Sequence, residues 1–193
     1  MSPALNSNLR LTGTLSTSTT DNNNQQYATK LQQIGAGNVY EGFSSINAGY
    51  HIVLSATAGT WTLASDPGNT IGLGTKANVT LSGGTFDSAG NDLGSGLAAE
   101  RRKFSFSGGT LTNSASTRSK IWAIDTYFNA NSTINTPNVG GDIDFSTSSY
   151  FYPTSTLYTL TKSGPGDLHM KGAFISGGNV DFNVNVLAGN IHY

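Results

Sequence analysis

The chain has 193 residues, enough for one domain that buries roughly 70% of its unfolded surface and needs neither disulfides nor a metal to be stable. Charged side chains are only 11% of it, ten basic against eleven acidic for a net charge of −1, whereas glycine alone supplies 24 residues. That balance excludes a field strong enough to gather nucleic acid or anionic lipid, and a low net charge with nine Phe, eight Tyr and two Trp argues against disorder of the whole chain.

Met1–Leu15 shows no basic segment followed by an apolar core, and no stretch approaches the ~18 apolar residues of a membrane span. The chain is therefore expected to be soluble as given, without membrane insertion. Residues 1–20, rich in Asn, Ser and Thr with Leu5, Leu9, Leu11 and Leu15 spaced through them, read as one weak strand or as an arm that orders on a partner. Asp21–Asn24 then offer capping side chains, and Tyr27, Leu31 and Ile34 follow at helical spacing, with Gly35 and Gly37 as stop signals. This pattern predicts a short capping helix over Gln25–Ile34.

From Val39 the texture changes to short apolar runs punctuated by Gly, Asn and Ser. The strands expected are Tyr50–Leu54, Trp61–Leu63, Val79–Leu81, Phe104–Phe106, Ile143–Phe145 and Phe182–Val186. In the last of these Phe182, Val184 and Val186 alternate with Asn183 and Asn185, so one face is apolar and the other polar. Residues 21–193 thus read as a single β-rich domain.

An octet recurs at an offset of 25 positions: Val79-Thr-Leu-Ser-Gly-Gly-Thr-Phe86 and Phe104-Ser-Phe-Ser-Gly-Gly-Thr-Leu111, with a looser Ser-Gly-Gly at Ser176–Gly178. A glycine pair after a three-residue strand allows a positive-φ corner. A period of about 25 suits a solenoid, each coil burying the face its neighbour leaves open. Ser-Gly-Gly-Thr turns also join antiparallel strands, so a β-sandwich or jelly roll stands as the alternative.

The C-terminal stretch carries Leu160-Thr-Lys-Ser-Gly-Pro-Gly-Asp-Leu-His-Met-Lys-Gly172, then Ser176-Gly-Gly, then Val186-Leu-Ala-Gly-Asn-Ile191. It resembles the autotransporter-associated β-strand repeat of bacterial surface proteins, which reads Leu-Thr-Lys-Ser-Gly-x-Gly-x-Leu, a short strand, Gly-Gly, and a strand ending near Ala-Gly-x-Leu. Pro165, His169 and Met170 depart from that pattern. The resemblance implies an all-β fold, a right-handed parallel β-helix, with a surface role and no catalytic residues.

Candidate chemistry is sparse. His51, His169 and His192 lie far apart in sequence with no metal-ligand spacing, so neither a metal nor any other cofactor is expected. Asp142 and Asp144 flank Ile143 and read as a solvated pair; Asp87 and Asp92 flank a turn with Asx hydrogen bonding; Arg101-Arg102-Lys103 is the one basic run and reads as a solvated corner. Tyr150, Phe151 and Tyr152 are candidate glycan contacts, since an aromatic face can stack on a sugar ring. Trp61 and Trp122 are assigned to the core.

Val184, Val186, Leu187, Ile191 and Tyr193 run without charged gatekeepers and form a candidate self-association edge. The expected function is therefore a non-enzymatic structural or adhesive module of a bacterial surface or secreted protein, at the cell surface or outside the cell. Its partners would be copies of itself, neighbouring repeats or surface glycans. A virion structural protein and a glycan-binding β-sandwich are the alternatives.

Overall fold

A computed structural model describes residues 9–15, 30–33, 39–46, 51–54, 59–63, 78–92, 102–121, 124–145, 150–154, 157–174 and 183–193. Among these there are nineteen strands and no helix. They are β1 (Leu9–Leu15), β2 (Lys30–Gln33), β3 (Val39–Ile46), β4 (His51–Leu54), β5 (Thr60–Leu63), β6 (Asn78–Leu81), β7 (Thr85–Asp87), β8 (Arg102–Phe106), β9 (Thr110–Thr112) and β10 (Ser119–Ile121). There follow β11 (Ile124–Phe128), β12 (Ser132–Asn135), β13 (Ile143–Phe145), β14 (Tyr150–Pro153), β15 (Thr159–Ser163), β16 (Leu168–Met170), β17 (Ala173–Phe174), β18 (Asn183–Val186) and β19 (Ile191–His192).

The strands form three sheets, ordered β1-β3-β5-β7-β9-β12-β15-β18, β2-β4-β6-β8-β11-β14-β17 and β10-β13-β16-β19. Sequence neighbours therefore fall in different sheets and next-coil equivalents lie side by side, which is a β-solenoid. Every described ladder is parallel, as in Val79↔Phe104, Phe86↔Leu111 and Ile143↔Leu168, which rules out the antiparallel sandwich. The octet repeat is two adjacent coils in register.

The expected helix is corrected where it can be seen. Lys30–Gln33 pair with His51–Leu54 as β2 and β4, and Gln25–Thr29 and Ile34 lie outside the described residues. A short isolated helix is marginal in water, whereas strand pairing satisfies several backbone groups at once. Leu31 takes the register position continued by Ile52, Val79 and Phe104. In the 1–20 section Leu9–Leu15 form β1 and pair with β3, and the rest of that section lies outside the described residues.

The core is an interior column of large side chains. Trp61, Phe86, Leu111 and Ile134 follow one another up the first sheet and are buried, while Phe106 and Phe128 stack at 5.3 Å between centroids and Phe145 meets Phe151 edge-on at 5.5 Å. Such pairs add ~0.5–1.5 kcal/mol each beyond their burial. At the corners the polar residues are satisfied from coil to coil. Buried Asn113 accepts the Gly90 amide at 2.8 Å and donates to the Thr117 and Asp142 carbonyls at 2.7 and 3.1 Å.

Candidate functional site

Two features of the stacked coils carry chemistry, one inside the solenoid and one on the outer face of its third sheet. The inner one is Lys162. In β15 the side chains alternate so that Leu160 and Lys162 point inward, and Lys162 occupies the register position of Ile134 and Val186. It is fully buried. Its ammonium donates to the carbonyls of Ser163, Gly164 and Ala188 at 3.0, 2.8 and 3.1 Å, tying one coil's turn to the next. Burial lowers its pKa, and the more distant charges of Asp167 and Asp142 oppose that effect.

This explains the Lys-Ser-Gly-Pro-Gly run in structural terms. Gly164 has φ +79°, a conformation that costs any residue with a Cβ. A methyl group there would strike the Thr136 carbonyl of the preceding coil. The lysine and the glycines thus make a packed corner between coils.

The outer feature is a ladder of charged and imidazole side chains. Three successive coils enter the third sheet as Gly141-Asp142-Ile143-Asp144, Gly166-Asp167-Leu168-His169 and Gly189-Asn190-Ile191-His192. The same bond recurs at each step, since Asp142 Oδ1 accepts the Asp167 amide at 2.9 Å and Asp167 Oδ1 accepts the Asn190 amide at 3.0 Å. Ile143, Leu168 and Ile191 pair in register. The residues that follow, Asp144, His169 and His192, stand in register with one another.

His169 and His192 therefore stack at 4.6 Å with their planes 12° apart. The second oxygen of each aspartate faces the imidazole one coil on: Asp142 Oδ2 lies 3.6 Å from His169 Nε2, and Asp167 Oδ2 lies 3.1 Å from His192 Nε2. The His192 hydrogen bond, first among the causes, holds the Asp167 carboxyl below the usual carboxylate range; burial opposes it, and the amide and side-chain bonds from Asn190 add to the lowering. Arg118 spans Asp142 and Asp144 at 3.2 and 3.3 Å, and Lys171 reaches Asp144 at 3.4 Å. The Asp142–Asp144 pair is accordingly not a solvated one: Asp144 is buried under its cations.

Other residues singled out in the sequence take different places. Phe151 is in the core, stacked on Phe128, so it cannot contact a glycan; alternation along β14 that turns Tyr150 and Tyr152 outward turns Phe151 in. Tyr152 stacks on Tyr127 of the preceding coil at 4.8 Å. The Asx turn holds, with Asp87 Oδ1 accepting the Ala89 amide at 2.9 Å, and Asp92 accepts the Lys120 amide at 2.8 Å. Arg102 and Lys103 belong to β8, and Arg101 and Trp122 lie outside the described residues. Trp61 is buried.

Along the proposed edge, β18 and β19 each pair on one side only among the described residues. Val186, Leu187 and Tyr193 are 47%, 65% and 79% exposed, while Val184 and Ile191 are half-buried. The His169–His192 juxtaposition is what sequence reasoning missed. The signal was present as the recurring Gly-Asp/Asn-Ile/Leu tripeptide, which aligns the two histidines one coil apart.

On the outer face of the first sheet, Thr85, Thr110, Thr133 and Thr161 stand in register. Thr110, Thr133 and Thr161 line an open groove of about 330 Å³ together with Asn131, Ser132 and Thr159. These features define a parallel β-solenoid with a hydroxyl-lined groove on one face and an aspartate–histidine ladder on another. Comparison with protein-family models, curated proteins and solved structures found no match.

Proposed function

We propose that the chain is a structural and adhesive module, non-enzymatic, of a bacterial surface or secreted protein, and that it works outside the cell. The observation that carries this reading is the coil-to-coil repetition of core, corner and ladder. Each coil is a unit whose open face is covered by the next, so coils add length while presenting the same chemistry repeatedly along the outside. The likeness of Leu160–Ile191 to the autotransporter repeat supports the surface role.

Two surfaces suit contact with neighbours. The edge of β18 and β19, which pair on one side only among the described residues, suits, beside Val186, Leu187 and Tyr193, a further coil or a second copy. The groove at Thr110, Thr133 and Thr161 offers hydroxyls at the strand spacing of ~4.8 Å, and the outward Tyr127–Tyr152 pair offers aromatic area; both suit the hydroxyls and apolar faces of a glycan. The test is adhesion of cells that display this chain on a surface anchor, measured on glycan-coated and protein-coated plates against the bare anchor. Retention several-fold above the anchor alone, reduced by Thr133→Lys, is expected. No retention on any coating, with no self-association, would overturn the reading.

A further inference from the structure

We propose that Asp167, His169 and His192 bind a divalent transition-metal ion of the Zn²⁺ type on the outer face of the third sheet. One ligand atom from each of the three residues lies within 4.8 Å of the others. Zn²⁺ binds imidazole nitrogen at ~2.0–2.1 Å and carboxylate oxygen at ~2.0–2.2 Å, which places tetrahedral ligand atoms ~3.3 Å apart. Asp167 Oδ2 and His192 Nε2 are already 3.1 Å apart. The set as a whole, within 4.8 Å, must close by up to about 1.5 Å to reach that spacing, and His192, with 48% of its side chain exposed, has room for its ring to turn and close it without disturbing the core.

Three further observations favour a metal over a chance cluster. Asp167 is anchored through its other oxygen, Oδ1, by the Asn190 amide and side chain, both at 3.0 Å, so Oδ2 is oriented by an outer bond as metal-binding carboxylates are. The Arg118 guanidinium stands 3.3 Å from His169 Nε2. A guanidinium has donors only, so a hydrogen bond there requires the Nε2 lone pair that a metal would also use.

Lastly, Asp142 Oδ2, 3.6 Å from His169 Nε2, supplies a fourth donor once Arg118, 41% exposed, withdraws to solvent. Two imidazoles among the donors select a borderline ion such as Zn²⁺ over Ca²⁺ or Mg²⁺, which prefer all-oxygen cages. A metal here would cross-tie the coils of β13, β16 and β19.

Co²⁺ is the probe, because it absorbs strongly in the visible when tetrahedral and barely when hydrated. Titrating the full chain at neutral pH is expected to give a saturable visible band at one equivalent, abolished by Zn²⁺ but not by Ca²⁺ or Mg²⁺. In histidine-labelled protein, Zn²⁺ should shift the ring signals of two of the three histidines and leave that of His51 in place. His169→Ala and His192→Ala should each weaken binding roughly tenfold or more, with the circular dichroism of each variant recorded to confirm that it is folded. Absence of a saturable band in the unaltered protein, or metal binding that leaves all three histidine signals unmoved, overturns the proposal without recourse to any variant.

Discussion

Gly140 and Gly164 offer a matched test of what sets the spacing between coils. Their backbones are nearly identical, with φ of +78° and +79°. Alanine at either position meets the same left-handed strain of about 1–2 kcal/mol, offset by about 0.4–1 kcal/mol because alanine narrows the unfolded ensemble. They differ in what a methyl group would touch. At Gly140 it would stand 3.1 Å from the Ser116 carbonyl in an exposed turn that can give way. At Gly164 it would collide with the Thr136 carbonyl and press on Asn135 Oδ1 at 3.0 Å.

That Thr136 carbonyl also accepts the Gly166 amide at 3.1 Å, and the Thr136 amide donates to the Ser163 carbonyl at 3.0 Å. Relieving the clash must therefore push the stacked turns of adjacent coils apart, at about 1–3 kcal/mol for overpacking and about 1 kcal/mol for a lost hydrogen bond. Gly140→Ala should cost about 1 kcal/mol and Gly164→Ala about 3–4 kcal/mol. For a domain of this length those losses lower Tm by roughly 3 °C and roughly 10 °C. Urea unfolding followed by far-UV circular dichroism, with the m-value unchanged, measures both. Losses that agree to within about 0.5 kcal/mol would refute the argument that backbone contact fixes the coil spacing at this corner.

Lys162→Met should cost about 1–3 kcal/mol at neutral pH, the net of three lost carbonyl hydrogen bonds and relief from burying an ammonium. Because burial lowers the folded-state pKa, the unfolded chain holds more protons between that value and the ordinary value of about 10.5. Wild-type stability therefore gains a contribution from Lys162 as pH rises through the window. The variant lacks that gain, so urea midpoints in a pH series should diverge toward alkaline pH, and a constant difference would count against the buried charge. Asp87→Ala should cost about 2–3 kcal/mol, because this buried carboxylate accepts the Ala89 and Ser114 amides, each at 2.9 Å, and the Ser114 hydroxyl at 2.7 Å; thermal melts against Asn91→Ala, whose side chain bonds to Ala89 O at 3.3 Å, provide the comparison. Val186→Lys should abolish concentration-dependent self-association in light scattering, and a native protein that stays monomeric at high concentration would remove the edge as a contact surface.

The solenoid was legible because its period is written twice in nearly the same letters. Val79–Phe86 and Phe104–Leu111 stack residue on residue, and a Gly-Gly corner at fixed spacing needs no tertiary information to be noticed. The helix at Gln25–Ile34 misled because Leu31 fits a helical stripe and a coil position equally well, and only pairing with β4 decides between them. Tyr150-Phe151-Tyr152 misled for the opposite reason: three adjacent aromatics look like one surface until strand alternation sends the middle one inward.

The aspartate–histidine ladder shows what a linear reading loses. Spacing rules for metal and catalytic sites are written for residues a few positions apart on one helix, turn or strand, and at that scale His169 and His192 are unrelated. In a parallel solenoid the neighbour of a residue is the one a full coil away, about 25 positions along, so ligand motifs must be sought at the coil period. On that footing Gly166-Asp-Leu-His169 and Gly189-Asn-Ile-His192 are adjacent residues of one site, and the coil spacing that satisfies their backbones is also what brings their imidazoles together.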